Sequence, residues 1–284
     1  MKNFKEKFAE GLFGVAAGIS ILAVITICVF LFSSGIPAIQ EIGLGNFLFG
    51  TEWEPETDTY GILPMILASI YTTLGALVIG VPIGLLTAIY MSKYASPKVR
   101  KILEPGVELL AGIPSVIYGF FGLVVIVPMI RSIFGVQGMS MLAAIIILGI
   151  MILPTIITLS MNAIDAVPQS YYEGARALGA DHTRAVFRTM VPAAKSGIMA
   201  GIVLGVGRAI GETMAVVMIA GNQAVIPTGL LSGVRTMTSN VVLEMGYATD
   251  LHRDALIATA VVLFVFVLII NIVFSILKAR SNKI

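Results

Sequence analysis

Two residues of opposite charge lie inside an apolar stretch of this chain. The segment 207–213 is Gly-Arg-Ala-Ile-Gly-Glu-Thr, in which Arg208 and Glu212 are four residues apart. On a continuous helix this spacing places both side chains on one face. A guanidinium is a planar fork of donors that suits an oxyanion such as phosphate or sulfate. Because an ion at mid-bilayer costs at least about 2.5 kcal/mol, Arg208, Glu212 and the adjacent Thr213 are candidates for a substrate pathway or gate.

A structural role also explains these two residues. A buried ion pair that fixes helix register or closes a gate needs one cation and one anion at the same spacing. The sequence leaves both interpretations open. Our hypothesis is that Arg208 attracts an anion during passage while Glu212 keeps the site from holding it too tightly.

The polar connection 165–196 is the second unusual segment. Pro168 followed by Ser170 and two tyrosines is typical of a helix start, and Gly179 is typical of a helix end. The pattern predicts a short helix over residues 171–178 that stands off the membrane. Its small and aromatic residues suit the groove of a partner, and a plain amphipathic surface helix explains them equally well.

Motifs for catalysis and nucleotide binding are missing from the sequence. It has no Gly-x-x-x-x-Gly-Lys-Ser/Thr phosphate loop, no Gly-x-Ser-x-Gly elbow and no His-Glu-x-x-His metal pair. The single cysteine, Cys28, excludes a disulfide framework and a cysteine metal cluster. We therefore expect no enzyme activity, no bound cofactor and no metal, with His182 and His252 as solvated loop residues on opposite sides of a membrane.

The composition is that of a membrane protein. Of the 284 residues, 57% are hydrophobic and 12% are charged, whereas a soluble domain carries about 25% charged residues. The mean hydropathy is +0.98. A net charge of +2 gives no reason to expect a nucleic-acid partner.

Apolar runs of about 20 residues are long enough to span a bilayer as helices. Six such runs are present, at residues 11–33, 63–90, 107–130, 141–164, 197–220 and 255–277. The first exceeds the 7 to 15 apolar residues that are typical of a signal peptide, so we expect a retained anchor helix. The fold prediction is an all-α integral membrane protein with six transmembrane helices in a single domain, residues 1–284.

Basic residues concentrate in the termini and in two of the connections. They are Lys2, Lys5, Lys7, Lys93, Lys98, Arg100, Lys101, Arg176, Arg184, Arg188, Lys195, Lys278, Arg280 and Lys283. With six spans, these segments share one side of the membrane. The positive-inside rule predicts that this side, with both termini, is cytoplasmic.

Other features concern the outer connections and the helix contacts. Residues 35–61 carry five acids and no Lys or Arg, and their Trp53 suits the membrane interface. Residues 234–245 predict a re-entrant or interfacial helix that is too short to span.

Paired glycines predict close helix contacts, and prolines inside the spans predict kinks. The pairs are Gly14/Gly18, Gly80/Gly84, Gly201/Gly205 and Gly207/Gly211, and the prolines are Pro82, Pro114, Pro128 and Pro154.

The polar connection contains a recognisable signature. Its run Glu-Gly-Ala-x-x-x-Gly (173–179) resembles the cytoplasmic loop Glu-Ala-Ala-x-x-x-Gly, followed by Ile-x-Leu-Pro, of ABC-importer permeases. Gly174 replaces an Ala of that pattern, Thr189 and Val191 replace the Ile and Leu, and Pro192 is retained. These small or apolar replacements keep the character of the loop.

Further segments narrow the resemblance. Residues 111–119 and 208–218 are similar to the phosphate-importer permeases of the ABC superfamily. Trp53-Glu-Pro55 and Tyr60-Gly-Ile-Leu-Pro64 resemble the PstC type more than the paralogous PstA type. The resemblance extends over nearly the whole chain.

The resemblance implies partners and residue roles. In this family two permease subunits form the pore, here implying a PstA-like second permease subunit. Two cytoplasmic ATPase subunits, which use ATP and Mg, bind beneath the pore, and an extracytoplasmic phosphate-binding protein delivers the substrate. The signature helix docks on the ATPase, which implies coupling roles for Glu173, Gly174, Ala175 and Gly179. In this family an Arg and an acidic residue of the fifth-span motif are needed for transport, and these two residues match Arg208 and Glu212.

Two other classes of protein share some of these features. A secondary transporter or channel for a small oxyanion explains six spans and a buried Arg, but it usually has inverted repeats, and none is evident here. An intramembrane enzyme acting on a phosphorylated lipid explains Arg208, but no nucleophile and base are paired near it. The sequence therefore favours the permease of an ATP-driven importer in the cytoplasmic membrane.

Overall fold

The computed structural model describes residues 4–281, which are mostly helical. The helices are α1 (Phe4–Ile42), α2 (Leu44–Phe49), α3 (Leu63–Ile89), α4 (Pro97–Gly112), α5 (Ser115–Phe121), α6 (Val127–Phe134), α7 (Met141–Asp165), α8 (Gln169–Ala177), α9 (His182–Ala185), α10 (Val191–Ala193), α11 (Lys195–Gly211), α12 (Met214–Ile219), α13 (Met237–Glu244) and α14 (Asp250–Ser281). Turns of π-helix follow α3, α5 and α9, at Tyr90–Tyr94, Gly122–Ile126 and Val186–Met190. Strands β1 (Trp53–Glu54) and β2 (Thr59–Tyr60) pair antiparallel.

Five described segments are long and apolar enough to cross a membrane. They are Glu6–Ile42, Leu63–Tyr94, Ser115–Phe134, Met141–Asp165 and Asp250–Ile276. A sixth is present if His182–Ala193 and Lys195–Gly211, which are bent by 69° at their junction, form one span. The chain is thus a multi-pass helical membrane protein. Its orientation stays a prediction, and Lys2 and Lys283, on which that prediction partly rests, lie outside the described residues.

The third span begins later than the sequence predicts. Instead of one helix over 107–130, α4 ends at Gly112 and α5 starts at Ser115. Pro114 disfavours helical backbone at the residue before it, and Ile113 has an extended ψ of 125°. Helix α4 has no buried residue and begins with Ser96 as its N-cap, so it is a separate surface helix.

The fifth span is also interrupted. The expected continuous helix over 197–220 is divided into α11 and α12, because Glu212 takes extended backbone angles of φ −71° and ψ 130°. The prediction that Arg208 and Glu212 share one helix face is therefore wrong. Their four-residue spacing gives a shared face only when the helix continues through both residues.

Helix α7 is the centre of the bundle, and two of the predicted glycine pairs lie against it. A Cβ at Gly80 of α3 would be 2.6 Å from Ile152 Cδ1, and one at Gly205 of α11 would be 3.2 Å from Ile156 Cγ1. The missing side chains let these helices approach closely. By contrast, Gly14, Gly18, Gly207 and Gly211 have no such neighbour among the described residues.

The two ends of the bundle differ in structure. We call one the ribbon end; there α2, the β1–β2 ribbon and α13 pack around the buried residues Phe47, Trp53, Met65 and Met237. The other, the connection end, comprises residues 90–101 and 165–195, which are linked by the contact of Arg100 with Asp165. The expected short helix in residues 234–245 is α13, which is largely buried, as is Trp53. Helix α1 packs on α14 near Gly35, whereas most of its preceding turns are exposed.

Candidate functional site

Helix α8 projects from the connection end. It covers Gln169–Ala177, close to the expected 171–178, and Gly179 ends it with a φ of +88°. This left-handed conformation favours glycine, which forms the usual C-terminal turn of a helix. None of the residues of α8 is buried. The side chain of Leu178, which follows the helix, is 90% exposed, so this surface is open to a partner.

The predicted coupling residues lie on this exposed element. Glu173, Gly174 and Gly179 are exposed, and Ala175 is half-buried. Ala175 and Gly179 line a groove of about 430 Å³ together with Arg184 and Arg188. The two guanidinium groups give the groove a positive charge, which favours an acidic surface on a partner.

Several polar contacts lie at the connection end, next to α8. The carboxylate of Asp165, at the end of α7, accepts a hydrogen bond from Ser92 Oγ at 2.5 Å and lies 2.9 Å from Arg100 Nη2. His182 lies between Tyr172 of α8 and the backbone of Lys93. The expectation that His182 is a solvated loop residue is wrong, since its ring is half-buried with partners on both nitrogens.

Arg208 lies in the last turn of α11, where it is half-buried and near Tyr118 of α5. Among the described residues, Arg208 and Glu212 form no ion pair within 4 Å. A structural role as partners in a register-fixing ion pair therefore has no support in the geometry. The neighbouring Gly207 and Gly211 are exposed on the outer side of α11.

Glu212 and Thr213 form the break itself. The Oε1 atom of Glu212 accepts the Ala215 N–H at 3.1 Å, which caps the start of α12. Its carbonyl accepts a hydrogen bond from Thr238 Oγ1 of α13 at 3.1 Å, and Thr213 Oγ1 donates to the Gly211 carbonyl at 3.3 Å. The break thus has its own capping side chain and is tied directly to the buried helix from the ribbon end.

The ribbon end contains a buried polar network centred on Glu244. Oε2 of Glu244 accepts hydrogen bonds from Trp53 Nε1 and His252 Nε2, each at 2.8 Å. Oε1 accepts one from Arg235 Nη1 at 2.5 Å, and the same nitrogen donates to Asn240 Oδ1 at 3.1 Å. We call Trp53, Arg235, Glu244 and His252 the ribbon-end network.

The network controls the charge of Glu244. Burial by itself would raise the pKa of this carboxyl, but the Trp53 and His252 hydrogen bonds and the nearby Arg235 charge outweigh burial and lower the pKa below its ordinary value. Glu244 is therefore held as a carboxylate. The expectation that His252 is a solvated loop residue is also wrong, because its side chain is only 13% exposed.

Sequence reasoning missed this network for a clear reason. Trp53 and Glu244 are 191 positions apart, and no local pattern connects them. The available signal was a carboxylate in a short apolar segment, 234–245, with Arg235 as the nearest cation. Asp165 was missed similarly, since its partners come from the end of another span and the start of α4.

Acidic residues surround two adjoining depressions at the ribbon end. The depressions have volumes of about 740 and 660 Å³, and both are lined by Glu41, Asp58 and Tyr60. Glu56 and Asp250 line the larger one. Nowhere in residues 4–281 do three His, Cys, Asp or Glu side chains converge as a metal site. This acidic surface disfavours the binding of a free anion.

The chain is similar to curated permeases along most of its length. It is 38% identical to a probable ABC transporter permease protein, YqgH, of Bacillus subtilis, with 89% of this chain and 85% of the relative covered. It is 33% identical to the phosphate transport system permease protein PstC of Mesorhizobium japonicum, with 90% and 84% covered. It is 31% identical to the protein of the same name from Haemophilus influenzae, with 99% of this chain and 97% of the relative covered.

Solved structures show the same fold. A bacterial alginate ABC transporter matches with a TM-score of 0.64 at 16% identity, with all of this chain and 99% of that chain covered. The MetNI methionine ABC transporter matches with a TM-score of 0.59 at 20% identity, with 81% of this chain and 99% of that chain covered. The family model described as the binding-protein-dependent transport system inner membrane component matches residues 80–283. The chain therefore belongs to the family of inner membrane components of binding-protein-dependent transport systems.

Proposed function

We propose that this chain is the transmembrane permease subunit of an ATP-driven importer of inorganic phosphate. One observation carries the proposal: the matches to phosphate transport permeases extend over most of both chains, at 31–33% identity in two of them. Family membership and the fold of ABC transporters agree with it. In this proposal the chain has no ATPase activity and binds no cofactor, and partner chains use ATP and Mg.

The complex we propose contains four kinds of subunit. A PstA-like permease forms the pore with this chain, two cytoplasmic ATPase subunits bind at the connection end, and a phosphate-binding protein docks at the ribbon end. The exposed α8 and its positively charged groove support the ATPase contact. This arrangement places both termini in the cytoplasm, as the distribution of basic residues also favours.

In this proposal Glu173, Gly174, Ala175 and Gly179 take part in ATPase coupling. Glu173 is exposed on α8, where a carboxylate is available to a partner surface. Gly174 has no neighbour within 4 Å of an added Cβ, so the Ala of the family pattern also fits this position.

Arg208, Glu212 and Thr213 line the substrate pathway or gate in the same proposal. The guanidinium is half-buried and has no ion-pair partner among the described residues, which leaves its donor fork for an oxyanion. Glu212 adds negative charge at the helix break, which prevents tight anion binding. The hydrogen bond from Thr238 links this break to the ribbon end.

The acidic ribbon end favours delivery by a binding protein over capture of free phosphate. Phosphate carries negative charge at neutral pH, and the depressions there carry Glu41, Asp58 and Asp250. Like charges lower the local concentration of a free ligand. A binding protein that encloses the anion removes this barrier.

The test is uptake of radiolabelled phosphate into vesicles that contain this chain with its co-encoded partners. We expect ATP-dependent uptake in the wild type and its loss in Arg208→Gln, with the complex still assembled. Arg208→Lys keeps the charge without the fork and should retain only part of the uptake. Uptake that runs without ATP or ATPase would contradict the importer and favour a channel or secondary transporter.

The coupling surface is tested in the same vesicles with Glu173→Lys. Charge reversal on α8 should abolish uptake and loosen the ATPase, which is measured by copurification. The control Glu108→Lys reverses an exposed charge on α4 and should leave ATPase copurification unchanged. If Glu173→Lys retains both uptake and ATPase, Glu173 has no part in coupling.

A further inference from the structure

His182 connects α8 to the end of the second span. Its Nδ1 atom lies 2.8 Å from the hydroxyl of Tyr172, on α8. Its Nε2 atom lies 3.2 Å from the carbonyl oxygen of Lys93, in the π-helical turn Tyr90–Tyr94 that ends the span starting with α3. One side chain thus bridges an exposed surface helix and a transmembrane segment.

For a neutral imidazole, the Lys93 carbonyl fixes the direction of both bonds. A carbonyl oxygen only accepts, so Nε2 carries the hydrogen and donates to Lys93. In the neutral ring Nδ1 is then the acceptor, and the Tyr172 hydroxyl donates to it. The Lys93 carbonyl lies in a last helical turn, where carbonyls lack intrahelical partners. The bridge therefore satisfies a group that the helix itself leaves free.

The imidazole is held in this orientation by a second tyrosine. The ring of Tyr94 meets that of His182 edge-on, with centroids 4.7 Å apart and an angle of 70°. The Tyr94 hydroxyl is 3.3 Å from Thr183 Oγ1, next along the chain from His182. Tyr94 therefore packs directly against the His182 ring and contacts the residue that follows it.

The other attachments of α8 to the bundle are weaker. No residue of α8 is buried, and its half-buried residues are Tyr172 and Ala175. Tyr172 packs on the cluster around Ile164 and Val186. The Arg176 guanidinium bonds to the Ala180 carbonyl, within the same connection. At its two ends α8 continues through Pro168, which has extended backbone angles, and through Gly179. Tyr172 is thus a side chain of α8 that both packs on the bundle and forms a hydrogen bond with His182.

We propose that His182 is a positioning residue that transmits displacement of α8 to the end of the second transmembrane span, through Tyr172 on one side and the Lys93 carbonyl on the other. The inference rests on the proposed function, in which α8 docks on the ATPase. A push on α8 moves Tyr172, His182 and the Lys93 backbone together, because separating them costs two hydrogen bonds in a half-buried site.

The test measures phosphate transported per ATP hydrolysed in vesicles of the whole complex. Tyr172→Phe removes one hydroxyl and keeps the ring that packs on the bundle. The ATPase should still copurify and hydrolyse ATP, while the transport ratio falls about fivefold, the factor that one net hydrogen bond supports. Tyr90→Phe is the matched control: Tyr90 begins the same π-helical turn, is 46% exposed, and should keep the wild-type ratio.

His182 itself is tested by a pair of variants. His182→Ala removes both bonds and should lower the ratio at least as far as Tyr172→Phe. His182→Gln keeps one donor and one acceptor and should restore part of it. If the complex with His182→Ala fails to assemble, Tyr172→Phe still tests the positioning role, because this variant retains every packed carbon atom of the tyrosine.

Each alternative outcome has a distinct meaning. Wild-type ratios in both Tyr172→Phe and His182→Ala overturn the positioning role while the importer stands. Loss of ATPase copurification in Tyr172→Phe also overturns it, since Tyr172 would then be a docking contact. Absence of ATP-dependent uptake in the wild type contradicts the proposed function itself.

Discussion

At the scale of single residues, Glu244 is the carboxylate at the centre of the ribbon-end network. A carboxylate with three donors in a buried site stabilises the fold only while it is charged, because a protonated carboxyl accepts fewer hydrogen bonds. Removal of one member of a buried, charged network leaves the others without a partner.

Glu244→Gln should therefore lower the free energy of unfolding by about 3 kcal/mol at neutral pH, since it leaves Arg235 without its anion. Thermal unfolding of the purified complex in detergent measures the loss. Glu56→Gln is the matched control, because Glu56 is exposed on the same acidic surface. Equal unfolding temperatures for the two variants would show that the network does not stabilise the fold.

The stability difference between wild type and Glu244→Gln should depend on pH. Folding lowers the pKa of Glu244, so the stabilisation is fully present above the ordinary carboxyl pKa and disappears as pH falls through the lowered pKa. The difference should therefore narrow on acidification within that range. Unfolding of both proteins, measured from neutral pH downward, tests this prediction. A stability difference between wild type and Glu244→Gln that increases as the pH falls would contradict it.

At the scale of elements, close contact between α5 and α12 depends on a glycine. A Cβ at Gly119 would be 2.9 Å from the Ala215 Cα atom and 2.8 Å from Met218 Sδ. The sulfur is able to shift, but the Ala215 backbone is not. The contact places α5 against the helix that follows the break at Glu212, so it also fixes the geometry of the candidate pathway.

Gly119→Ala should accordingly destabilise the protein by about 1–3 kcal/mol, the usual cost of overpacking. Gly106→Ala is the matched control within α4, where an added Cβ has no neighbour within 4 Å. That substitution should be neutral or stabilising by up to about 1 kcal/mol, because alanine favours helix more than glycine does. Equal stability of the two variants would show that α5 and α12 separate at little cost.

At the scale of the whole molecule, the ribbon end and the connection end should face opposite sides of the membrane. Helix α3 begins beside the ribbon at Leu63 and its π-helical extension ends at Tyr94, at the connection end. The ribbon end is acidic, and the connection end carries many of the basic residues. The positive-inside rule therefore predicts that the connection end lies in the cytoplasm.

Cysteine labelling tests this orientation. In a Cys28→Ser background, Glu56→Cys and Lys98→Cys place single thiols at exposed positions of opposite ends. A membrane-impermeant maleimide added to intact cells, freed of any outer membrane, should label position 56, and position 98 only after lysis. Labelling of position 98 in intact cells would reverse the orientation and remove the basis for an ATPase at that end.

The sequence by itself determined the features that depend on local interactions. A bilayer span needs about 20 apolar residues in succession, so the multi-pass helical class follows from composition and run length. The end of α8 at Gly179 also follows from neighbouring residues, because a left-handed turn favours glycine. The family was identifiable from ordered motifs, and the comparisons confirm it.

Only the tertiary structure decided how these elements meet. The break at Glu212 is stabilised by Thr238 from α13, and His182 is positioned by Lys93, which is 89 residues away. The lowered pKa of Glu244 requires donors from three separate segments. The physical reason is that a buried polar group is satisfied by whichever partners the fold brings within hydrogen-bonding distance, and these partners lie far from it in the chain.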